Sequence, residues 1–159
     1  MVEVMGRDCG YLGLMAGIAG GAEWVQIPEH EYPPEHVAQA LVNAYERGKQ
    51  HSIVVVAEGC ENDADELYHY FKDHQADIGF PVRVTRLGHV QRGGTPTAYD
   101  RTLATRLAAE AVECLHKGQL GVLVGQINGE IVTTPLATVV STKKDIDLEL
   151  LELAQALSQ

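Results

Sequence analysis

Apolar residues fall along this chain in two patterns: short runs at consecutive or alternate positions, and longer stretches in which they return every three or four positions. The short runs span 2–5, 24–27, 53–57 and 82–87. Each is too short for a helix of ordinary length and is predicted as a strand. Residues 53–57 are Ile-Val-Val-Val-Ala with no polar position. That is the pattern of a strand buried on both faces of a parallel sheet.

The longer stretches predict helices. Small residues dominate 12–19, as expected of a helix lying close on a sheet, and Gly20-Gly21 ends it. Pro33-Pro34 opens a second helix, in which Val37, Leu41 and Tyr45 recur at helical spacing before Gly48. Asp63 and Glu66 form a capping-box pattern ahead of Leu67, Tyr70 and Phe71. From 97 to 117, Leu103, Leu107, Ala111 and Leu115 mark one face of a helix stopped by Gly118. Segments 121–127 and 130–134 flank Asn128-Gly129, a strong signal for a two-residue hairpin turn, and a final amphipathic helix is predicted over 147–157.

Strands alternating with helices predict an α/β fold: a mostly parallel sheet with helices on both faces, with a C-terminal hairpin and helix. No repeat or low-complexity linker interrupts the 159 residues, so length predicts a single domain with a real core. The first strand begins at residue 2 with neither cap nor tail before it, which suggests that an N-terminal portion is missing.

Composition narrows the functional classes. The formal net charge of −10 argues against a general nucleic-acid binder, which needs a basic field, so an anionic ligand must meet a local basic cluster. Cys9, Cys60 and Cys114 are odd in number and widely spaced, with no CxxC pair, which supports neither a disulfide framework nor a zinc site. No apolar run reaches membrane-spanning length and the N-terminus lacks signal-peptide features. A cytoplasmic protein with no membrane partner is expected.

In open α/β sheets ligands bind beyond the carboxyl ends of the strands. Met5-Gly6-Arg7 follows the first predicted strand, Glu58-Gly59 the third, and Gly88-His89-Val90-Gln91-Arg92-Gly93-Gly94-Thr95 the fourth. Arg and His suit a phosphate, a carboxylate suits sugar hydroxyls, and glycines admit close approach of backbone N–H groups. Each feature alone also fits a plain structural role: a tight turn, a capping carboxylate, a hydrogen-bonded histidine. His89 and Arg92 three residues apart beside two glycines make the phosphate reading the sharper one. Arg83 lies inside the predicted strand 82–87, where a charge needs a partner, an interface or an anionic ligand.

The stretches Val2-Glu3-Val4-Met5-Gly6-Arg7, Gly20-Gly21-Ala22-Glu23 and Ala57-Glu58-Gly59, followed by the fifteen residues from Leu87 to Arg101, resemble those of the phosphofructokinase family in the family's order. The resemblance covers nearly the whole chain and matches the family's C-terminal half. It implies that Met5, Gly6, Glu58, His89 and Arg92 bind fructose 6-phosphate, with His89 and Arg92 near the 6-phosphate and Glu58 on sugar hydroxyls. Arg7 is implied to bind there too and to act catalytically, near the transferring phosphoryl group. Arg83 matches the position that reaches across a subunit interface into the neighbour's site. Gly21, Glu23, Arg47, Lys49 and His51 match the regulatory nucleotide site of bacterial members, Arg47 standing where a lysine is common. Cations at a helix end are favourable without any ligand, so a solvated helix end is the plain alternative for that cluster.

By the same resemblance, the donor loop, the magnesium-binding aspartates and the catalytic base precede residue 1. Mg²⁺ with ATP or diphosphate is therefore expected in the full-length enzyme, a homo-oligomer and tetramer, and no metal or cofactor is expected on this chain alone. Positioning and metal-held phosphates supply most of phosphoryl-transfer catalysis, so the isolated chain is expected to be inactive. A stand-alone sensor of a sugar phosphate or nucleotide, and a different kinase or phosphatase sharing the sugar site, stay open at this point.

Overall fold

The computed structural model describes residues 1–143 and 145–157. Where length predicts one domain, the chain divides into two compact units, Met1–Arg92 with Ile146–Gln159, and Gly93–Asp145. In the first unit come β1 (Val2–Val4), α1 (Tyr11–Gly20), β2 (Trp24–Gln26), α2 (Pro34–Glu46), β3 (Val54–Ala57), α3 (Ala64–Asp73), α4 (Gln75–Ile78) and β4 (Thr85–Arg86). The second unit holds α5 (Ala98–His116), the hairpin β5 (Val122–Ile127) and β6 (Glu130–Pro135), and α6 (Leu136–Ser141). Helix α7 (Leu148–Leu157) belongs again to the first unit.

The four strands of the first unit form one all-parallel sheet in the order β2-β3-β1-β4. Its core follows from the period-2 geometry of a strand, which sends successive side chains to opposite faces. Val54 and Val56 pack with Val37 and Leu41 of α2 and with Leu67 and Phe71 of α3. Val55 turns the other way and joins Val4, Val25, Leu14 of α1 and Leu151 and Ala154 of α7. Both faces of β3 are thus buried, as its uninterrupted apolar run predicts. Helix α1 lies close because Gly17 faces β2, where a Cβ would come within 2.2 Å of Val25 Cγ2.

Caps set the helix ends. Asp63 Oδ1 accepts the N–H groups of Asp65 at 2.8 Å and Glu66 at 3.0 Å, opening α3. Thr97 and Asp100 exchange side-chain and backbone hydrogen bonds as a full capping box at the start of α5. Asn128, with φ of 52°, and Gly129, with φ of 86°, both adopt the left-handed conformation that the hairpin turn requires.

Three sequence expectations change. The strand predicted over 82–87 shrinks to Thr85–Arg86, because only these residues find register, opposite Val2 and Glu3 of β1. Arg83 lies before that strand and is exposed, between the half-buried Val82 and Val84, so its charge needs no buried partner. On α5, Leu103, Leu107 and Ala111 are half-buried as predicted, but the next inward residue is the buried Cys114, while Leu115 is 63% exposed. The 3.6-residue repeat carries the stripe to 114 at that point.

Phe71 is 2% exposed at the centre of the α2–α3 face. Phe71→Ala is expected to destabilise the first unit by about 3–5 kcal/mol, read as a lowered urea midpoint.

Candidate functional site

The sheet order creates one natural crevice. The chain leaving β1 enters α1 on one face, whereas the chain leaving the adjacent β3 enters α3 on the other. A gap between diverging loops at the carboxyl ends of neighbouring strands is where ligands lodge in such folds. The β1 loop carries Met5, Gly6 and Arg7, and the β3 loop carries Glu58 and Gly59.

A single carboxylate joins these loops. Glu58 Oε1 accepts the backbone N–H of Arg7 at 2.7 Å and that of Gly6 at 3.2 Å. The Glu58 carboxyl is held below its ordinary value of 4.5, first by the Arg7 N–H, then by the Gly6 N–H, with the charges of Arg7 and Arg92 acting the same way. Glu58 is exposed, and among the described residues its Oε2 accepts no hydrogen bond. The clamp therefore leaves the second oxygen of Glu58 open to a further donor.

Backbone geometry around the clamp leaves no room for side chains. A Cβ on Gly59 would lie 2.0 Å from the Arg7 carbonyl oxygen, and one on Gly6 would lie 2.3 Å from that of Cys9. Arg7 has φ of 52°, a conformation that non-glycine residues adopt at a cost and that gathers at functional sites. The third cluster forms a single 3-10 turn, Gly88–Gln91, whose end is held by Arg92 N–H donating to the His89 carbonyl at 2.9 Å. Gln91 ties this turn to the first loop, its Oε1 accepting the Met5 N–H at 3.4 Å and its Nε2 donating to the Gly88 carbonyl at 3.1 Å.

Met5, Gly6, Arg7, Glu58, His89 and Arg92 thus lie on three loops that leave the carboxyl ends of β1, β3 and β4. Arg83 does not join them. It precedes β4, at the amino ends of the strands, and lines a recess of about 370 Å³ with Lys49 and His51. The five residues matched to an effector site each have a local role as well. Gly21, with φ of 64°, ends α1 in the left-handed conformation. Glu23 pairs with Lys49 Nζ at 3.3 Å and accepts the Ile53 N–H. Arg47 caps the end of α2 and, with Glu23, lines a second recess of about 600 Å³, while His51 is exposed.

Sequence reasoning missed two carboxylates beside the crevice. Glu29 accepts the Gly10 N–H, with both of its oxygens at 2.9 Å. Glu31 accepts the N–H groups of Glu61 at 2.7 Å and Asn62 at 3.0 Å. The only sequence signal is a pair of acids just after a strand end. Between these groups lies Cys60, buried, its thiol pushed up to about 12 by burial and then by the nearby Glu31 charge. Among the described residues, no three His, Cys, Asp or Glu side chains gather in a way that could hold a metal ion. No helix among them is long and apolar enough to cross a membrane.

A model of the phosphofructokinase family matches residues 1–115. The chain belongs to the phosphofructokinase family. It is 47% identical over 158 residues to the ATP-dependent 6-phosphofructokinase of Natranaerobius thermophilus, covering 99% of this chain and 48% of that protein. With ATP-dependent 6-phosphofructokinase 1 of Thermus thermophilus the identity is 48%, over the same shares. The solved phosphofructokinase of Saccharomyces cerevisiae superposes with a TM-score of 0.77 at 35% identity, covering 98% of this chain and 21% of that one. The chain spans about half the length of the curated relatives it matches.

Two outcomes test this phosphofructokinase clamp. Gly59→Ala is expected to destabilise by about 1–3 kcal/mol, since the new methyl meets backbone rather than a flexible side chain; the urea midpoint reads it. A depressed carboxyl stabilises the fold above its ordinary value, and that contribution is lost as pH falls through the lowered folded value. The stability gap between the unaltered protein and Glu58→Gln should hold constant at neutral pH and close as pH drops below 4.5, as urea titrations at a series of pH values would report.

Proposed function

We propose that this chain supplies the acceptor half of a 6-phosphofructokinase, binding fructose 6-phosphate so that its 1-hydroxyl receives a phosphoryl group and fructose 1,6-bisphosphate forms. The observation that carries this reading is the Glu58 clamp: a carboxylate fixed by two N–H groups at the mouth of the crevice, beside loops that bear Arg7, His89 and Arg92. Family membership, with matched relatives named 6-phosphofructokinase, supports the choice of sugar phosphate.

Each group then has a role set by its chemistry. Glu58 accepts hydrogen bonds from sugar hydroxyls. Its depressed pKa makes it a weak base at neutral pH, so proton abstraction from the 1-hydroxyl falls to another group. Arg92 and His89 neutralise the 6-phosphate, the guanidinium by a forked pair of hydrogen bonds. Met5 and Gly6 line the floor, where the missing Cβ of Gly6 keeps the backbone close. Arg7 offers its cation to the charge that develops on the transferring phosphoryl group.

The donor is ATP in the reading that the relatives' names favour, with diphosphate as the other donor class. In this reading the metal and the donor are held by the rest of the full-length enzyme. That enzyme is a cytoplasmic homo-oligomer, a tetramer in this reading, in which Arg83 serves a neighbouring subunit's site. Gly21, Glu23, Arg47, Lys49 and His51 form a nucleotide effector site.

In the full-length enzyme, Arg92→Ala is expected to raise the KM for fructose 6-phosphate more than about tenfold with a smaller change in kcat, the signature of lost ground-state binding. Saturation curves that do not move would remove Arg92 from the site. Glu58→Gln is expected to weaken acceptor binding while the acidic limb of the pH–rate profile persists. Loss of that limb with binding intact would make Glu58 the base and overturn its assignment.

A further inference from the structure

The Glu58 clamp does not stand alone. The turn after β2 reaches both loops that the clamp joins. Glu29 holds the far end of the first loop at Gly10, the residue that opens α1. Gly10 has no room for a side chain, since a Cβ there would lie 2.4 Å from Ile27 Cβ and 2.6 Å from Glu29 Oε2. Glu31 holds the far end of the second loop, taking the N–H groups of Glu61 and Asn62 and the Asn62 side-chain amide, the last at 3.3 Å.

The turn is itself anchored at both ends. Ile27 and His30 form an isolated antiparallel bridge. The fully buried Gln26 donates Nε2 to the Tyr32 carbonyl at 2.7 Å, and its Oε1 accepts the Tyr32 N–H at 3.4 Å and Trp24 Nε1–H at 3.2 Å. A buried amide with both ends satisfied holds one geometry, because any other leaves a polar group without a partner. Residues 28–31 therefore present two carboxylates at a fixed separation, one to each loop of the crevice.

We infer that Glu29 and Glu31 are positioning residues, which act through the backbones of residues 6–10 and 58–62 to set the Glu58 carboxylate against the Gly6 and Arg7 amides. Neither touches the crevice face of Glu58, so neither is a catalytic residue. Their relevance to fructose 6-phosphate rests on the function proposed above, but the mechanical link does not. A carboxylate accepting two amides resists displacement, and a small misplacement of binding groups lowers productive binding steeply. Glu31→Gln keeps one acceptor and loses the other, so it loosens the second loop without opening a cavity.

The test is hydrogen–deuterium exchange by mass spectrometry on the full-length protein, with Glu31→Gln and, as a second variant in case that one folds poorly, Glu29→Gln. Peptides covering 4–8 report the clamp, which neither substituted side chain touches, and peptides covering 54–57 report global opening of the core. Faster exchange at 4–8 with unchanged protection at 54–57 is the expected result. Calorimetric affinity for fructose 6-phosphate should fall about tenfold alongside it. Faster exchange confined to 61–62 in Glu31→Gln, or to residue 10 in Glu29→Gln, would reduce both acids to local caps and overturn the inference. Exchange rising at 4–8 with no sugar-phosphate binding even in the unaltered protein would uphold the positioning role and overturn the proposed function instead.

Discussion

Two hydrogen bonds to one carboxylate oxygen hold the working edge of this molecule together. β1 and β3 are neighbours in the sheet, yet the chain leaves them toward opposite faces, so the loops beyond their ends have every reason to diverge. Glu58 opposes that divergence by reaching from one loop to the amides of the other. The arrangement demands that the backbones nearly touch, which explains glycine at 59, where any side chain would overlap the Arg7 carbonyl; Gly6 instead has to clear the Cys9 carbonyl of its own loop. Arg7, which donates one of the two N–H groups, turns the chain sharply after it with its left-handed φ of 52°.

Much of this was legible from residue types. β3 could be read as buried on both faces because its four residues, Val54 to Ala57, offer no polar side chain to either. The cap at Asp63 and the turn at Asn128-Gly129 follow from local chemistry that tertiary packing has no reason to override. The loop residues at the strand ends could be proposed as a site because parallel sheets put their ligands there. What sequence could not show is the identity of a backbone partner. Glu29 accepts a main-chain N–H 19 positions away, Glu31 two at 30 and 31, and Glu58 two at 51 and 52, and a main-chain amide carries no mark in a sequence. The short strand at Thr85–Arg86 was overestimated for a related reason: pairing depends on how far β1 extends, not on the alternation of residues 82–87 alone. Helices α4 and α6, at four and six residues, are too brief to establish a period.

Net charge looks unhelpful to a phosphate ligand until the acids are followed to their partners. The excess of 22 acidic over 12 basic residues gives a formal −10. Several of those acids, however, are engaged with backbone dipoles or cations: Glu58, Glu29 and Glu31 with loop amides, Glu23 with Lys49, and Glu3 and Asp65 with Arg86. Acid at this edge therefore builds the scaffold, while Arg7 and Arg92 add positive charge beside Glu58.

The depth at which Cys60 sits has a chemical result. With its thiol pushed up to about 12, roughly one molecule in 10⁵ carries the thiolate at neutral pH, and it is the thiolate that oxidants and alkylating agents attack. The loop that bears Glu58 thus contains a sulfur atom two residues away that is silent toward peroxide and maleimide alike. Cys9, on the partner loop and exposed, is the sulfur that such reagents meet first. Covalent labelling of this edge will therefore report on the β1 side of the crevice and leave the β3 side unmarked.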